Sequence, residues 1–313
     1  MMKPSLFVIG NSKSGTTALY HFLSEHPNIF MCSPKEPNYF ARDFCRDPNP
    51  NGAFHQLSEM EYINLFRKAV PGQTCGESSA CYFYSQEAAK GISSYNPDAR
   101  LIVMLREPVS FLYSYYWQLR KNPRTEGEVV RSFGNALALE ARRENGSDIP
   151  RKCLVPELLF YSRRIKYADQ LVRLYKYFHR SQIKVIIYED FKEDNQSVFE
   201  SVLRFLGLDD SFRPAIRLYN QGTATRSRLL KRLVHDASHG VGWGAPIKGL
   251  AKQVVSERLR KRITSVAVDK LVFSRIPKID PILKVELMAE YRDEVEKTGL
   301  ILGKDMLQRW GYK

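Results

Sequence analysis

Residues 10–17 read GNSKSGTT, directly after the apolar run LFVI (Leu6 to Ile9) and directly before ALYHFLSEHP. A short apolar run, a glycine-bearing loop and a helix-like stretch form the setting of a phosphate-binding loop, and that setting predicts a strand–loop–helix unit at the head of an α/β fold. The nucleotide-triphosphatase pattern GxxxxGK[ST] requires a lysine after its second glycine. Here Gly15 is followed by Thr16 and Thr17, and Lys13 stands inside the loop. The backbone N–H groups from Ser14 to Thr17 can converge on an anion at the helix start, where unpaired donors and the helix dipole favour negative charge. Thr16 and Thr17 add hydroxyl donors. Without a lysine after the glycine, and without an acidic strand end to hold magnesium, the loop is poorly furnished for a γ-phosphate.

Working outward, two more apolar, β-branched runs follow: LIVML (Leu101 to Leu105) and IKVIIY (Ile183 to Tyr188). Their length and bounding polar residues suit strands buried on both faces of a parallel sheet. Helix-length segments lie around and between them: TTALYHFLSEH, MEYINLFRKAV, VSFLYSYYWQLR, YADQLVRLYKYFH and QSVFESVLRFLGL. This alternation predicts a P-loop-type, doubly wound α/β domain with a central, mainly parallel sheet flanked by helices. The 313 residues suit one such domain over 1–313, with insertions near 41–56, 121–152 and 236–280. Loops at the carboxyl ends of parallel strands carry the ligands of these folds, so the insertions are expected to shape an acceptor cleft.

The composition, 43% apolar and 26% charged, is that of a globular protein and excludes disordered and collagen-like classes. The 48 Lys and Arg against 34 Asp and Glu leave a net charge of +14, which attracts anionic ligands and polyanions. No zinc-finger, RNP, KH or helix-turn-helix pattern accompanies that charge, so nucleic acid is not an expected partner. Five cysteines (Cys32, Cys45, Cys75, Cys81, Cys153), an odd number without CxxC spacing, argue against a disulfide framework and a zinc site. The N-terminal apolar run of four residues is too short for a signal peptide or membrane span. These features predict a cytoplasmic protein, with the lumenal domain of a secretory-pathway enzyme as the alternative.

The loop NSKSGTTAL resembles the 5'-phosphosulfate loop, PKSGTTxL, of the sulfotransferases that use 3'-phosphoadenosine-5'-phosphosulfate (PAPS), with Asn11 and Ser12 replacing a small residue and proline outside the phosphate-contacting core. LREPVSFLYS resembles the family's 3'-phosphate motif R[DE]PxxxxxS, with Arg106 at a strand end and Ser114 eight residues on. Physically, Pro108 suits a first helical turn, and Arg106 can fork onto a phosphate while Ser114 adds a hydroxyl. HPNIFMCSPKEPNYF (His26 to Phe40) resembles the segment of the heparan-sulfate-like and bacterial branch in which KEPxxF carries an acidic catalytic residue, here Glu36. GESSACYF (Gly76 to Phe83) resembles a strand-end segment, GE(K/A)(T/S)PxY, with Ser78 where several glycan sulfotransferases carry a lysine. YEDF (Tyr188 to Phe191) resembles a stretch whose tyrosine lies against adenine, and the tail from Ala289 to Trp310 resembles the terminal helix of bacterial members.

The resemblance implies sulfuryl transfer from PAPS to a hydroxyl or amine of a glycan or small alcohol, phenol or amine, giving 3'-phosphoadenosine-5'-phosphate (PAP), with no metal. Glu36 is then the base, in an ionised form that nearby lysines such as Lys35 favour. Lys13 lies beside the bridging oxygen. Ser14, Gly15, Thr16 and Thr17 hold the 5'-phosphosulfate, Arg106 and Ser114 the 3'-phosphate, and Tyr188 the adenine. Arg226 and Arg228, in the basic segment NQGTATRSRLLKR, are candidates for a cofactor-covering loop. His55 is the rival base. Tyr39, Phe40, Tyr82, Phe83 and Trp117 suit a sugar face or a flat small acceptor, and residues of this kind are as commonly core. Two other classes stay open at this point: a P-loop kinase acting with ATP and magnesium, and a non-enzymatic polyanion-binding protein.

Overall fold

The computed structural model describes residues 2–49, 52, 54–121, 127–151, 153–215, 223–225 and 273–313. Five strands form one parallel sheet: β1 (Leu6–Gly10), β2 (Ile29–Met31), β3 (Thr74–Ser78), β4 (Arg100–Leu105) and β5 (Ile183–Ile187), in the order β2-β3-β1-β4-β5. The three long apolar runs are β1, β4 and β5, the central strands and one edge, as their patterning predicts. The short strands β2 and β3 carry weaker signals, since a three-residue strand shows no usable period.

Every residue of β1 is buried, because helices cover both faces of the sheet. Strand alternation sorts the side chains into two cores. Phe7, Ile9, Leu101, Val103 and Leu105 pack on one face, and Leu6, Val8, Ile102 and Met104 on the other. Helix α1 (Thr16–Glu25) links β1 to β2, α2 (Glu59–Asn64) links β2 to β3, and α3 (Ala88–Tyr95) links β3 to β4. The long β4–β5 connection holds α4 (Pro108–Lys121), α5 (Phe133–Ala138), α6 (Glu140–Glu144), α7 (Tyr161–Arg164) and α8 (Tyr167–Tyr175). After β5 come α9 (Tyr188–Glu193) and α10 (Asn195–Leu206), and the chain ends in α11 (Pro281–Glu290), α12 (Arg292–Leu302) and α13 (Met306–Trp310). Thr223–Thr225 and Phe273–Arg275 pair as two short antiparallel strands.

α2 corrects one expectation: the helix-length segment MEYINLFRKAV gives only a six-residue helix, closed at its start by a capping box between Ser58 and Glu61. Pro71 and Gly72 follow soon after, and the intervening chain takes turns. All five cysteines are free thiols. Among the described residues no helix is long and apolar enough to cross a membrane.

The strand order sets the place of the site. β1 connects onward past β3 to the edge strand β2, whereas β4 connects the other way to β5. Loops leaving β1 and β4 therefore diverge, and a crevice opens between them at the carboxyl edge of the sheet, the position where such folds bind ligands.

Candidate active site

The β1–α1 loop fills one side of that crevice. Gly10, at φ +121°, lies so close to β4 that a Cβ would come within 2.3 Å of the Met104 carbonyl oxygen, so only glycine fits. Asn11 then donates its N–H to that same carbonyl at 2.9 Å. Gly15, at φ +88°, is the N-cap of α1, and no side chain caps the helix. The first-turn amides of α1, including those of Thr16 and Thr17, are thus left to an outside acceptor. Ser14 is buried with its hydroxyl unpartnered, and Asn11 is buried with its amide nitrogen unpartnered. Asn11 therefore belongs to the polar lining of the loop, although its place in the motif suggested otherwise.

Arg106 stands across the crevice, directly after β4. Its Nη1 donates to the Lys13 carbonyl at 2.9 Å, and its guanidinium sits 4.7 Å from the centre of the Tyr188 ring at the start of α9. Its Nε is buried without a partner. Three segments far apart in sequence, carrying Lys13, Arg106 and Tyr188, are thus joined at one point. Ser114 lies in α4, buried. α4 contrasts with α1. Glu107 accepts from the N–H groups of Val109 (2.8 Å) and Ser110 (2.7 Å), so a carboxylate already occupies the α4 start. Tyr312 donates to the same carboxylate at 2.6 Å, and Trp310 donates to Glu189 at 3.0 Å. The C-terminal tail thereby fastens the segments on either side of Arg106 and Tyr188, a support that the tail's sequence resemblance signalled without locating.

Glu36 lies in a second space, a cleft of about 550 Å³ that it shares with Ser12 of the loop, Lys35, His55, Tyr115, Gln118, Cys81 and Arg164. Its carboxylate is 2.6 Å from the Lys35 ammonium, with about half of the side chain exposed. Lys13 at φ +67° and Glu36 at φ +63° are two of four non-glycine residues with positive φ among the described residues, the others being Asn38 and Asp148. Left-handed backbone at a bulky residue costs on the order of 1–3 kcal/mol and persists where the surroundings over-determine it. Both residues singled out for chemistry carry it.

The constraint around Glu36 comes from Glu77, which sequence reasoning missed. Fully buried at the end of β3, Glu77 accepts O–H donors from Tyr62 (2.6 Å), Ser79 (2.6 Å) and Tyr82 (2.9 Å). The Ser79 hydroxyl accepts in turn from the Asn38 N–H (3.1 Å), and the Tyr82 hydroxyl from the Phe40 N–H (3.2 Å). Glu36 donates its own N–H to the Ser78 carbonyl at 3.0 Å. A single buried carboxylate thus holds the backbone that follows Glu36. Burial pushes the Glu77 carboxyl up to about 7, against the opposing pull of its three hydroxyl donors. The only sequence signal was an acidic residue next to the end of a short strand, Thr74–Ser78.

The aromatic expectation is corrected. Tyr39, Phe40, Tyr82 and Phe83 are buried in the core, and Trp117 packs against Tyr113 and Tyr116. The cleft is lined instead by Phe54, Leu57, Leu65, Tyr115, Leu119 and Leu158. Flat, apolar rings at strand ends serve packing at least as readily as ligands. His55 does reach the cleft, with Nδ1 3.3 Å from the Asp47 carbonyl. Arg226 and Arg228, the basic stretch after residue 249 and most of the 236–280 segment lie outside the described residues.

The parallel sheet with a glycine-bearing loop and an uncapped helix start, faced by an arginine at the next strand end, defines a P-loop-type transferase of anionic groups. The family model for the sulfotransferase domain matches residues 3–223, and the chain belongs to that family of PAPS-dependent sulfotransferases. Similar curated proteins include the bifunctional heparan sulfate N-deacetylase/N-sulfotransferase 3 of Homo sapiens, 31% identical over 212 residues, and the corresponding enzyme 4 of Mus musculus, 30% identical over 210. Each match covers 66% of this chain, which spans only 22% of the relatives' length. Among solved structures, a sulfotransferase from Alicyclobacillus acidocaldarius shares the fold with a TM-score of 0.71 at 24% identity, over 99% of this chain and 100% of that one.

Proposed function

We propose that the chain transfers a sulfuryl group from PAPS to a hydroxyl or amine acceptor held in the Glu36 cleft. The observation that carries this reading is the set of buried, unpartnered polar atoms along the carboxyl edge of the sheet: Asn11 Nδ2 and Ser14 Oγ after β1, Ser78 Oγ at the end of β3, and Arg106 Nε after β4. Buried polar groups are in general paired, so four unpaired ones along one edge suit a ligand rich in anionic oxygens, and PAPS fits it.

When bound, PAPS supplies a sulfuryl group on a phosphate leaving group and carries the 3'-phosphate that distinguishes it from ATP. The α1 amides with Ser14, Gly15, Thr16 and Thr17 hold the 5' end. Lys13 answers the charge left on the 5'-phosphate as its bond to sulfur breaks, and fixed charge of this kind is the main lever in such transfers. Arg106 and Ser114 hold the 3'-phosphate, and Tyr188, already stacked on the Arg106 guanidinium, flanks the base. Glu36 takes the acceptor's proton as its oxygen or nitrogen bonds to sulfur. Arg226 extends the cofactor-covering side. We read residues 1–313 as one sulfotransferase unit in which the 41–56 insertion, through Phe54 and His55, walls the acceptor cleft. The five free thiols support a reducing, cytoplasmic setting, and positive side chains do the electrostatic work here without calling on a metal.

Titration calorimetry with PAP, AMP and ATP tests the assignment. PAP should bind about 10 to 100 times more tightly than AMP, the worth of a charge-assisted contact to one phosphate. Arg106→Ala should erase most of that preference. Equal affinities for PAP and AMP, or ATP binding that requires magnesium, would replace the reading with the kinase alternative.

A further inference from the structure

The Glu36 cleft contains a buried cation that no carboxylate answers among the described residues. Arg164, at the end of α7, is only 5% exposed, and it lines the cleft together with Glu36 and Ser12. Its guanidinium is sandwiched between two rings, 4.4 Å from the centre of Tyr84 and 4.4 Å from that of Tyr115. Each ring is tethered: the Tyr115 hydroxyl donates to the Leu158 carbonyl at 3.0 Å, and the Tyr84 hydroxyl to the Glu157 carbonyl at 3.4 Å. The stack is therefore preorganised. Yet Nε and Nη2 are buried with no hydrogen-bond partner, and no carboxylate pairs with Arg164 among the described residues.

Its neighbours show the usual arrangement. Arg143 forks onto Glu128 at 2.8 and 3.1 Å, Arg163 pairs with Glu144, and Arg46 pairs with Glu157 at 2.7 Å. A buried, unpaired cation costs several kcal/mol, which two cation–π contacts offset only in part. The remainder would be recovered by an anion entering the cleft. The rest of the lining selects its kind. Phe54, Leu57, Leu65, Leu119 and Leu158 make part of the wall apolar, and Ser12, Asn38, His55 and Gln118 add polar groups without a carboxylate. The lysine of the cleft, Lys35, is already paired with Glu36. One cation without a carboxylate partner among the described residues suits a single negative charge, because a dianion would bring a second charge with no partner.

We infer that Arg164 is the specificity residue of the acceptor side and that the acceptor carries a carboxylate, either the uronate of a sugar or the carboxyl of a small organic acid. This deepens the proposed sulfuryl transfer and rests on it for the meaning of the cleft, but the binding preference can be read without turnover. Two matched pairs of probes separate the sources: p-nitrophenyl β-D-glucuronide against the glucoside, and 4-fluorophenylacetate against 4-fluorophenylacetamide. Each is titrated by ligand-observed NMR into the full chain saturated with PAP, after PAP binding has been measured alone.

In at least one pair the carboxylate should bind about tenfold or more tightly than its neutral partner, the worth of one charge-assisted contact. Discrimination in the glucuronide pair assigns a uronate, and discrimination in the phenylacetate pair alone assigns a small acid. Arg164→Gln should bring each pair to parity while leaving PAP affinity within about twofold, and thermal unfolding reports whether the variant is folded. If it is not, the wild-type comparison still decides. Equal affinity within both pairs, no binding by any probe, or a preference that survives in a folded Arg164→Gln protein overturns the inference. Failure of PAP itself to bind would instead count against the donor assignment.

Discussion

The crevice between β1 and β4 and the Glu36 cleft meet at Ser12 but are built in different ways. The crevice is made largely of backbone: Gly10 pressed against Met104, an uncapped α1, and an arginine fixed to a main-chain carbonyl. Its geometry follows from strand register, so it can be written in a few contiguous residues. The cleft is made of side chains from six segments, the loop after β2, the 41–56 insertion, α2's end, the turn after β3, α4, and the turn-plus-α7 region. Apart from the KEPxxF stretch around Glu36 and the GESSACYF segment, none of these carries a motif. A conserved nucleotide can be held by a backbone cradle, whereas acceptor choice is set by side chains that can change without disturbing the sheet.

If that contrast holds, damage to one side should stay on that side. The largest effect is expected for Lys13→Met, which removes the charge proposed to answer the leaving phosphate: single-turnover sulfuryl transfer should fall by about 10³, the scale of one lost transition-state contact, with PAP affinity changed far less. A matched loss of PAP binding would make Lys13 a ground-state ligand. Next, Glu36→Gln should lower transfer by about 10² through loss of general base catalysis, with calorimetric PAP affinity retained. The same assay on His55→Asn decides between the two bases, and a larger loss there would move the proton to His55.

The smallest effect concerns the framework of the cleft. Glu77 holds its proton more tightly in the folded protein than an unfolded carboxyl does, because ionising it means placing a charge in a buried site. Between about pH 4.5 and 7 the folded state therefore binds more protons than the unfolded one, and stability falls as pH rises through that window, then levels off. The total should be on the order of 3 kcal/mol. Denaturant titrations across the window should show a downward slope that Glu77→Gln flattens. A slope unchanged in the variant would place the titration elsewhere.

Much of the crevice was legible in advance because its physics is local. An apolar run, a glycine loop and a helix start are enough to specify strand, anion cradle and dipole, and the arginine-proline pair after LIVML places a second cation at a neighbouring strand end. The cleft was not legible for the opposite reason. Tyr82 and Phe40 look like sugar-facing rings until packing encloses them, and Glu77 looks like any acidic residue until Tyr62, Ser79 and Tyr82 surround it. Arg164 carries no signal in the string SRRIKY, since only the sandwich of Tyr84 and Tyr115, residues 80 and 49 positions away, turns it into a buried cation.

By itself, then, the sequence determined the α/β class, the position of the anion-binding loop, the strand-end arginine and membership of a sulfotransferase lineage. The tertiary structure alone decided that Arg106 latches onto the Lys13 carbonyl and that Glu36 is held by a buried carboxylate network. It alone decided, too, that a buried arginine with no carboxylate partner among the described residues lines the Glu36 cleft. The reason is one of range: hydrophobic period and backbone dipoles act within a few residues, whereas burial and pairing of charge depend on which distant segments the fold brings together.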